Sequence, residues 1–324
     1  MDFRLVALER WLGAEIPAIP FTLAPASEDA SFRRYFRARF ADGRSFIVMD
    51  APPATEDCRP FVRIAGMLRD AGLNAPQVLA KDLAQGFLLL TDLGTATYLE
   101  KLNEDNAADL FRDATDALLR WQLATRKGEL PRYDDALLRR EMDLFPEWYL
   151  SRHLGLALSD DRKNDLERGF ALLAASALAQ PAVYVHRDYM PRNLMVCDPN
   201  PGVLDFQDAV EGPVSYDMVS LLRDAFISWD EEQVLDWTAR YWGLAKKSQL
   251  PVNEDFAEFW RSFEWMGLQR HLKVLGIFAR LNYRDGKPKY LLDAPRFLNY
   301  ARAVTGRYGA LAPLARLLES LEQP

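Results

Sequence analysis

The chemistry available to this chain is concentrated in one stretch, "VYVHRDYMPRNLMVCDPNPGVLDFQDAV", residues 183–210. Within it, His186, Asp188, Asn193, Asp205 and Asp208 interrupt runs that otherwise read as protein interior, where an unpaired acid is costly. Asp188 and Asn193 lie five apart across a loop containing Pro191, so they do not share a helix face. "NLMV" and "GVLDF" read as short strands joined by the turn "CDPNPG", and a hairpin of that kind makes Asn193 and Asp205 neighbours. Two hard-oxygen side chains with open positions around them suit Mg²⁺ and phosphate oxygens. Asp188, just upstream, is placed to take the proton of a hydroxyl attacking the same phosphorus. Surface polarity or helix capping would account for a lone Asp-Pro-x-Asn turn, but not for five such positions in this order.

These residues need a scaffold. Residues 21–50 read as strands: "SFRRYFRARF" and "RSFIVMD" are aromatic and β-branched runs joined by "ADGR", whose Asp42-Gly43 is a hairpin signal. "RPFVRIAGMLRDAG" follows, with Phe61, Ile64, Ala65 and Leu68 at helical spacing and Gly72 as a stop. "PQVLAK" and "GFLLLTDL" are two further strands. Beyond Asp92-Leu93-Gly94 helical patterns dominate, over 95–125, 134–178 and 215–322, with only 181–206 strand-like. The expected fold class is α+β with two lobes. Residues 1–93 form a small β-rich lobe and 94–324 a larger helical one, with a ligand cleft between them.

The chain has 324 residues, 49% hydrophobic and 27% charged, which is ordinary for a globular protein. A formal charge of -7 argues against a general polyanion binder, so no nucleic acid is expected as partner. Two cysteines, Cys58 and Cys197, are too few for a disulfide framework and suit a reducing compartment. The N-terminus is a charged amphipathic pattern and not a signal peptide, and no apolar run approaches membrane-spanning length. The expected location is the cytoplasm.

His186-Arg187-Asp188-Tyr189-Met190-Pro191-Arg192-Asn193, followed by Asp205 in "LDFQD", resembles the catalytic loop of kinase-like phosphotransferases. Gln207 stands where protein kinases have the glycine of D-F-G. Too few residues separate Asp208 from the helix near Ser215 for an activation segment, so a small-molecule acceptor is expected. "DFQDA" with "GPVSYDMVSLL" is similar to the aminoglycoside phosphotransferase and choline kinase family. That resemblance implies a bilobal protein-kinase-like fold, ATP and Mg²⁺ as cofactors, and Asp188 as base with Asn193 and Asp205 on the metal. It further implies that His186, Asp208 and Asp217 give structural support, Asp217 by bracing the catalytic loop. Adenine is expected beside the backbone of Leu90, Asp92 and Leu93 in "LLLTDLG".

The chain departs from the family at Met49 in "SFIVMDAP", where relatives carry a phosphate-binding lysine, and the helix that follows offers no glutamate to pair with one. Ser31, Arg33 and Arg34 of "SEDASFRRYFR" are the candidate phosphate contacts in its place, by hydroxyl or guanidinium. Solvated edge-strand charge is the competing reading of both arginines.

"DASFRRYF", "IVMDAPP", "EDCRPFV", "LFPEWYLSRHLG" and "LQRHLKVLGIFARL" resemble one branch of the family. Its members phosphorylate the anomeric C1 hydroxyl of N-acetylmuramate and/or N-acetylglucosamine in bacterial peptidoglycan recycling, and a uridylyltransferase takes the product. Glu147, Trp148 and Arg152, and Arg270 and His271 with Trp265 and Lys273 nearby, are then candidate sugar contacts beside Asp188. An aminoglycoside or other small-alcohol phosphotransferase, and a nucleotide-binding pseudokinase, remain open alternatives.

Overall fold

The structure, a computed structural model, describes residues 2–17, 19–27 and 32–321; Ser31 lies outside the described residues. The chain divides into two compact units, 1–121 with 192–208, and 122–191 with 209–324. The first unit therefore runs past residue 93. The hairpin at 192–208 belongs to it because Asn74 bridges to Gly202 and Thr97 to Met195.

In the first unit, α1 (Phe3–Glu15) is followed by β1 (Phe21–Ser27), β2 (Arg34–Phe40), β3 (Ser45–Asp50), α2 (Arg59–Asp70), β4 (Val78–Asp82) and β5 (Phe87–Thr91). The strands form one antiparallel sheet in the order β1-β2-β3-β5-β4. Period-two alternation decides its faces: Phe36, Ala38 and Phe40 of β2 are buried while Arg39 between them is exposed. Leu8, Trp11 and Leu12 of α1 close the same core against Val48, Phe87 and Leu89. The β2–β3 turn runs through Asp42-Gly43, with Gly43 at φ 89°, a conformation that costs glycine no side-chain clash. Two helices, α3 (Tyr98–Lys101) and α4 (Ala107–Leu123), follow the sheet.

The second unit carries α5 (Asp135–Met142), a π-helix (Phe145–His153), α6 (Asp160–Ala179) and the strand β6 (Ala182–Val185). The chain then visits the first unit for β7 (Leu194–Met195) and β8 (Gly202–Val203). It returns at β9 (Val210–Pro213), which pairs antiparallel with β6. Then come α7 (Tyr216–Leu222), α8 (Glu231–Lys247), α9 (Phe256–Tyr283), α10 (Ala294–Arg307) and α11 (Ala312–Glu319). Helix α9 is the axis of this unit. It is buried on every side from Met266 to Gly276, yet that stretch includes Gln269, Arg270, His271 and Lys273. Buried polar side chains at this density need partners, and they mark the helix as more than core. No helix among the described residues is long and apolar enough to cross a membrane.

Candidate active site

Strand β6 delivers the chain into the loop His186–Asp188 of the second unit. The backbone N–H groups of His186 and Arg187 both donate to the Asp217 carboxylate, at 2.7 and 3.0 Å. Asp217 opens α7 and is fully buried. Arg187 has φ 76°, a region that non-glycine residues rarely adopt, and the two charge-assisted bonds offset that strain. The Asp188 N–H then donates to His186 Nδ1 at 3.2 Å, which leaves the imidazole proton on Nε2. His186 is itself buried, with its ring edge-on to Tyr189 at 5.6 Å. His186 and Asp217 therefore occupy supporting positions around the residue that carries the candidate base. Burial pushes the Asp217 carboxyl up to about 7, assisted by the charge of Asp188, while the two N–H donors pull the other way.

A buried charge network lies on the Arg187 side of this loop. The Arg187 guanidinium pairs with Glu141 of α5, and Lys273 Nζ of α9 reaches the same Oε1 at 3.0 Å. The other Glu141 oxygen accepts the Tyr133 hydroxyl, and Lys273 also donates to the Tyr216 hydroxyl at 3.1 Å. Burial alone would raise the Glu141 carboxyl, but Lys273 and Arg187 hold it below its ordinary range. Burial would lower Lys273, yet Tyr216 and Glu141 carry it up. Lys273, a candidate sugar contact in the sequence, is thus committed to Glu141.

In the first unit, Leu194 pairs with Val203, and the Leu204 N–H donates to the Asn193 carbonyl at 2.9 Å. That register sets Asn193 beside Asp205, with Nδ2 donating to Oδ2 at 3.2 Å. Gln207 Nε2 donates to the other Asp205 oxygen at 2.9 Å, so the residue that replaces the kinase glycine steadies the acid. Asp205 has φ 62°, a second non-glycine residue in the left-handed region, and Phe206 anchors it by packing on Phe61 at 4.8 Å. At Gly202 an added Cβ would lie 2.8 Å from Cys197 Sγ, so any other residue there would have to push that side chain aside. Asp208 is exposed. Among the described residues no group of three or more His, Cys, Asp or Glu side chains could hold a metal ion. A donor set of one carboxylate and one amide fits Mg²⁺, which takes one or two side chains and fills the rest with phosphate oxygens and water.

Met49 is fully buried on β3, between Tyr35 and Leu88. Arg34 turns to Asp50 and Asp2, and Asp50 also takes Arg4, whose Nε lies 2.9 Å from it. Arg33 pairs instead with Glu56 at 3.0 Å, a carboxylate that lies just before α2 and not within the helix. Leu90 is buried within β5, paired to Ile47 and Val78. Asp92 accepts from Arg37 at 2.7 Å, Ser45 at 2.6 Å and the Gly94 N–H at 3.0 Å, which spends its carboxylate on fixing the chain there. Leu93 is half-buried.

The candidate sugar contacts separate into two groups. Glu147 and Arg152 are exposed and Trp148 half-buried on the π-helix, whereas Arg270 and His271 are buried in α9. Glu141 and Glu56 were not foreseen, and Gln207 was noted only as a replacement for glycine; each pairs with a residue that the sequence singles out, Arg187, Arg33 and Asp205 respectively.

The loop that Asp217 holds and the hairpin that sets Asn193 beside Asp205 are arranged as in the phosphotransferases that the sequence resembles. The chain belongs to the phosphotransferase enzyme family, whose model matches residues 22–250. It is 52% identical over 332 residues to an N-acetylmuramate/N-acetylglucosamine kinase of Pseudomonas aeruginosa, covering 99% of this chain and 98% of that one. Among solved structures it is similar to a choline/ethanolamine kinase family protein from Mesorhizobium loti, with TM-score 0.65 and 15% identity, covering 97% of this chain and 100% of that one. An ADP-bound aminoglycoside phosphotransferase APH(2'')-Ib has TM-score 0.60 and 14% identity, covering 93% and 98%. At these identities the likeness is one of fold: a five-stranded antiparallel sheet with a largely helical remainder.

Proposed function

We propose that the chain is an ATP-dependent kinase of N-acetylmuramate and N-acetylglucosamine that phosphorylates the anomeric C1 hydroxyl. The observation that carries this reading is the near-full-length identity to a kinase named for those two sugars, joined to an intact catalytic loop. Asp188 takes the proton from the attacking hydroxyl. An anomeric hydroxyl is more acidic than an ordinary alcohol, which eases that transfer. Asn193 and Asp205 would hold Mg²⁺, which when bound neutralises charge on the β- and γ-phosphate oxygens. Arg33, oriented by Glu56, supplies the cation that is missing at Met49. The sugar 1-phosphate formed would be a substrate for a uridylyltransferase in cytoplasmic peptidoglycan recycling.

Phosphorylation at C1 removes the reducing end, and phosphorylation at C6 does not. With ATP and Mg²⁺, the purified protein should convert either sugar to a non-reducing product whose phosphorus couples to H1. The methyl glycosides, blocked at O1, should be inert. A methyl glycoside phosphorylated as readily as the free sugar would rule out C1 and leave the kinase assignment standing.

A further inference from the structure

A cavity of about 300 Å³ lies inside the second unit, lined in part by Arg223, Trp229, Phe263, His271 and Tyr300. That volume is at the small end of ligand sites. His271 is only 2% exposed, and neither ring nitrogen has a hydrogen-bond partner among the described residues. Its ring lies 5.2 Å from Phe297 and 5.1 Å from Tyr300. Burial, with the charges of Arg270 and Arg223 close by, lowers the imidazole pKa far below its ordinary value, so the ring is neutral. A neutral imidazole offers one donor and one acceptor, which match a hydroxyl or an amide.

The cations of the cavity divide by what already holds them. Arg307 is paired with Glu231 and Glu264, and Glu264 also accepts the Tyr308 hydroxyl. Arg223 stacks 5.1 Å over the Tyr300 ring, and among the described residues no carboxylate forms an ion pair with it. Arg223 also ends α7, the helix whose first turn grips the catalytic loop through Asp217. Five residues lie between them, a rise of about 9 Å along the axis at 1.5 Å per residue, so Arg223 and the brace of the catalytic loop sit at opposite ends of one short helix.

We propose that this cavity receives the acceptor sugar, that Arg223 pairs with the carboxylate N-acetylmuramate carries and N-acetylglucosamine lacks, and that His271 hydrogen-bonds a polar group common to both. The proposal rests on the reading of the chain as a kinase of these two sugars. A guanidinium meets a carboxylate through two parallel N–H donors, so its removal acts on one substrate more than the other.

The test is selectivity, the ratio of kcat/KM for N-acetylmuramate to that for N-acetylglucosamine. Arg223→Gln should lower this ratio roughly tenfold or more, mainly through KM for N-acetylmuramate, as expected for loss of a charge-assisted contact. Arg223→Lys, which keeps the charge, should recover part of it. His271→Gln should lower kcat/KM for both sugars and hold the ratio near its wild-type value. A purely structural role for Arg223 would depress both sugars equally, and a wild-type ratio in Arg223→Gln overturns the proposal while the kinase reading stands. Wild-type protein that phosphorylated neither sugar would overturn both.

Discussion

Asp188 follows a residue held at φ 76°, and its own N–H is tied to His186. Its carboxylate is therefore aimed by a turn that Asp217 fixes from the other side. Because the backbone N–H groups of His186, Arg187 and Asp188 are what Asp217 and His186 hold, Asp188→Asn should fold normally. It should bind ATP with little change and lose turnover by about 10²- to 10⁴-fold, the usual range for a positioned base. Single-turnover phosphoryl transfer, read beside nucleotide binding by calorimetry, separates the two effects. Near-normal turnover in Asp188→Asn would show that another group takes the proton.

At the scale of elements, the hairpin β2–β3 was legible because period-two alternation and an Asp-Gly turn are local signals. The β7–β8 hairpin was legible from its Pro/Gly/Asn turn, and with it the pairing of Asn193 and Asp205. The partners of the two neighbouring arginines were not, because they depend on contacts 16 to 32 residues away. Arg34 ties β2 to Asp50, a carboxylate with no exposure that also carries Arg4. Arg33 pairs with Glu56 at 3.0 Å and is the cation proposed above for the phosphates. The two substitutions should therefore separate. Arg33→Ala should raise KM for ATP or lower turnover by roughly 1.5–3 kcal/mol of lost contact, and Arg34→Ala should chiefly lower the unfolding midpoint. ATP kinetics unaltered in Arg33→Ala would direct attention to a different cation.

Across the whole molecule, the least legible features are those assembled from distant segments. Tyr133, Glu141, Arg187, Tyr216 and Lys273 form one network only after four elements pack, and each alone reads as an ordinary surface charge or core ring. Asp217 belongs to this class, since burial rather than sequence sets its proton affinity. Its carboxyl is raised from an ordinary 3.8 to about 7, chiefly by desolvation. The native state thus binds a proton more tightly than the unfolded chain does. The resulting stabilisation is present in full below about pH 3.8 and is lost as pH rises through 7. It amounts to up to roughly 4 kcal/mol, set against the loop geometry that the ionised acid secures. Asp217→Asn has no such proton to lose. Unfolding by urea at pH 5 and at pH 8 should show wild-type protein losing more stability over that interval than the variant. Identical pH slopes would mean that Asp217 does not titrate there, and that its two N–H donors outweigh its burial.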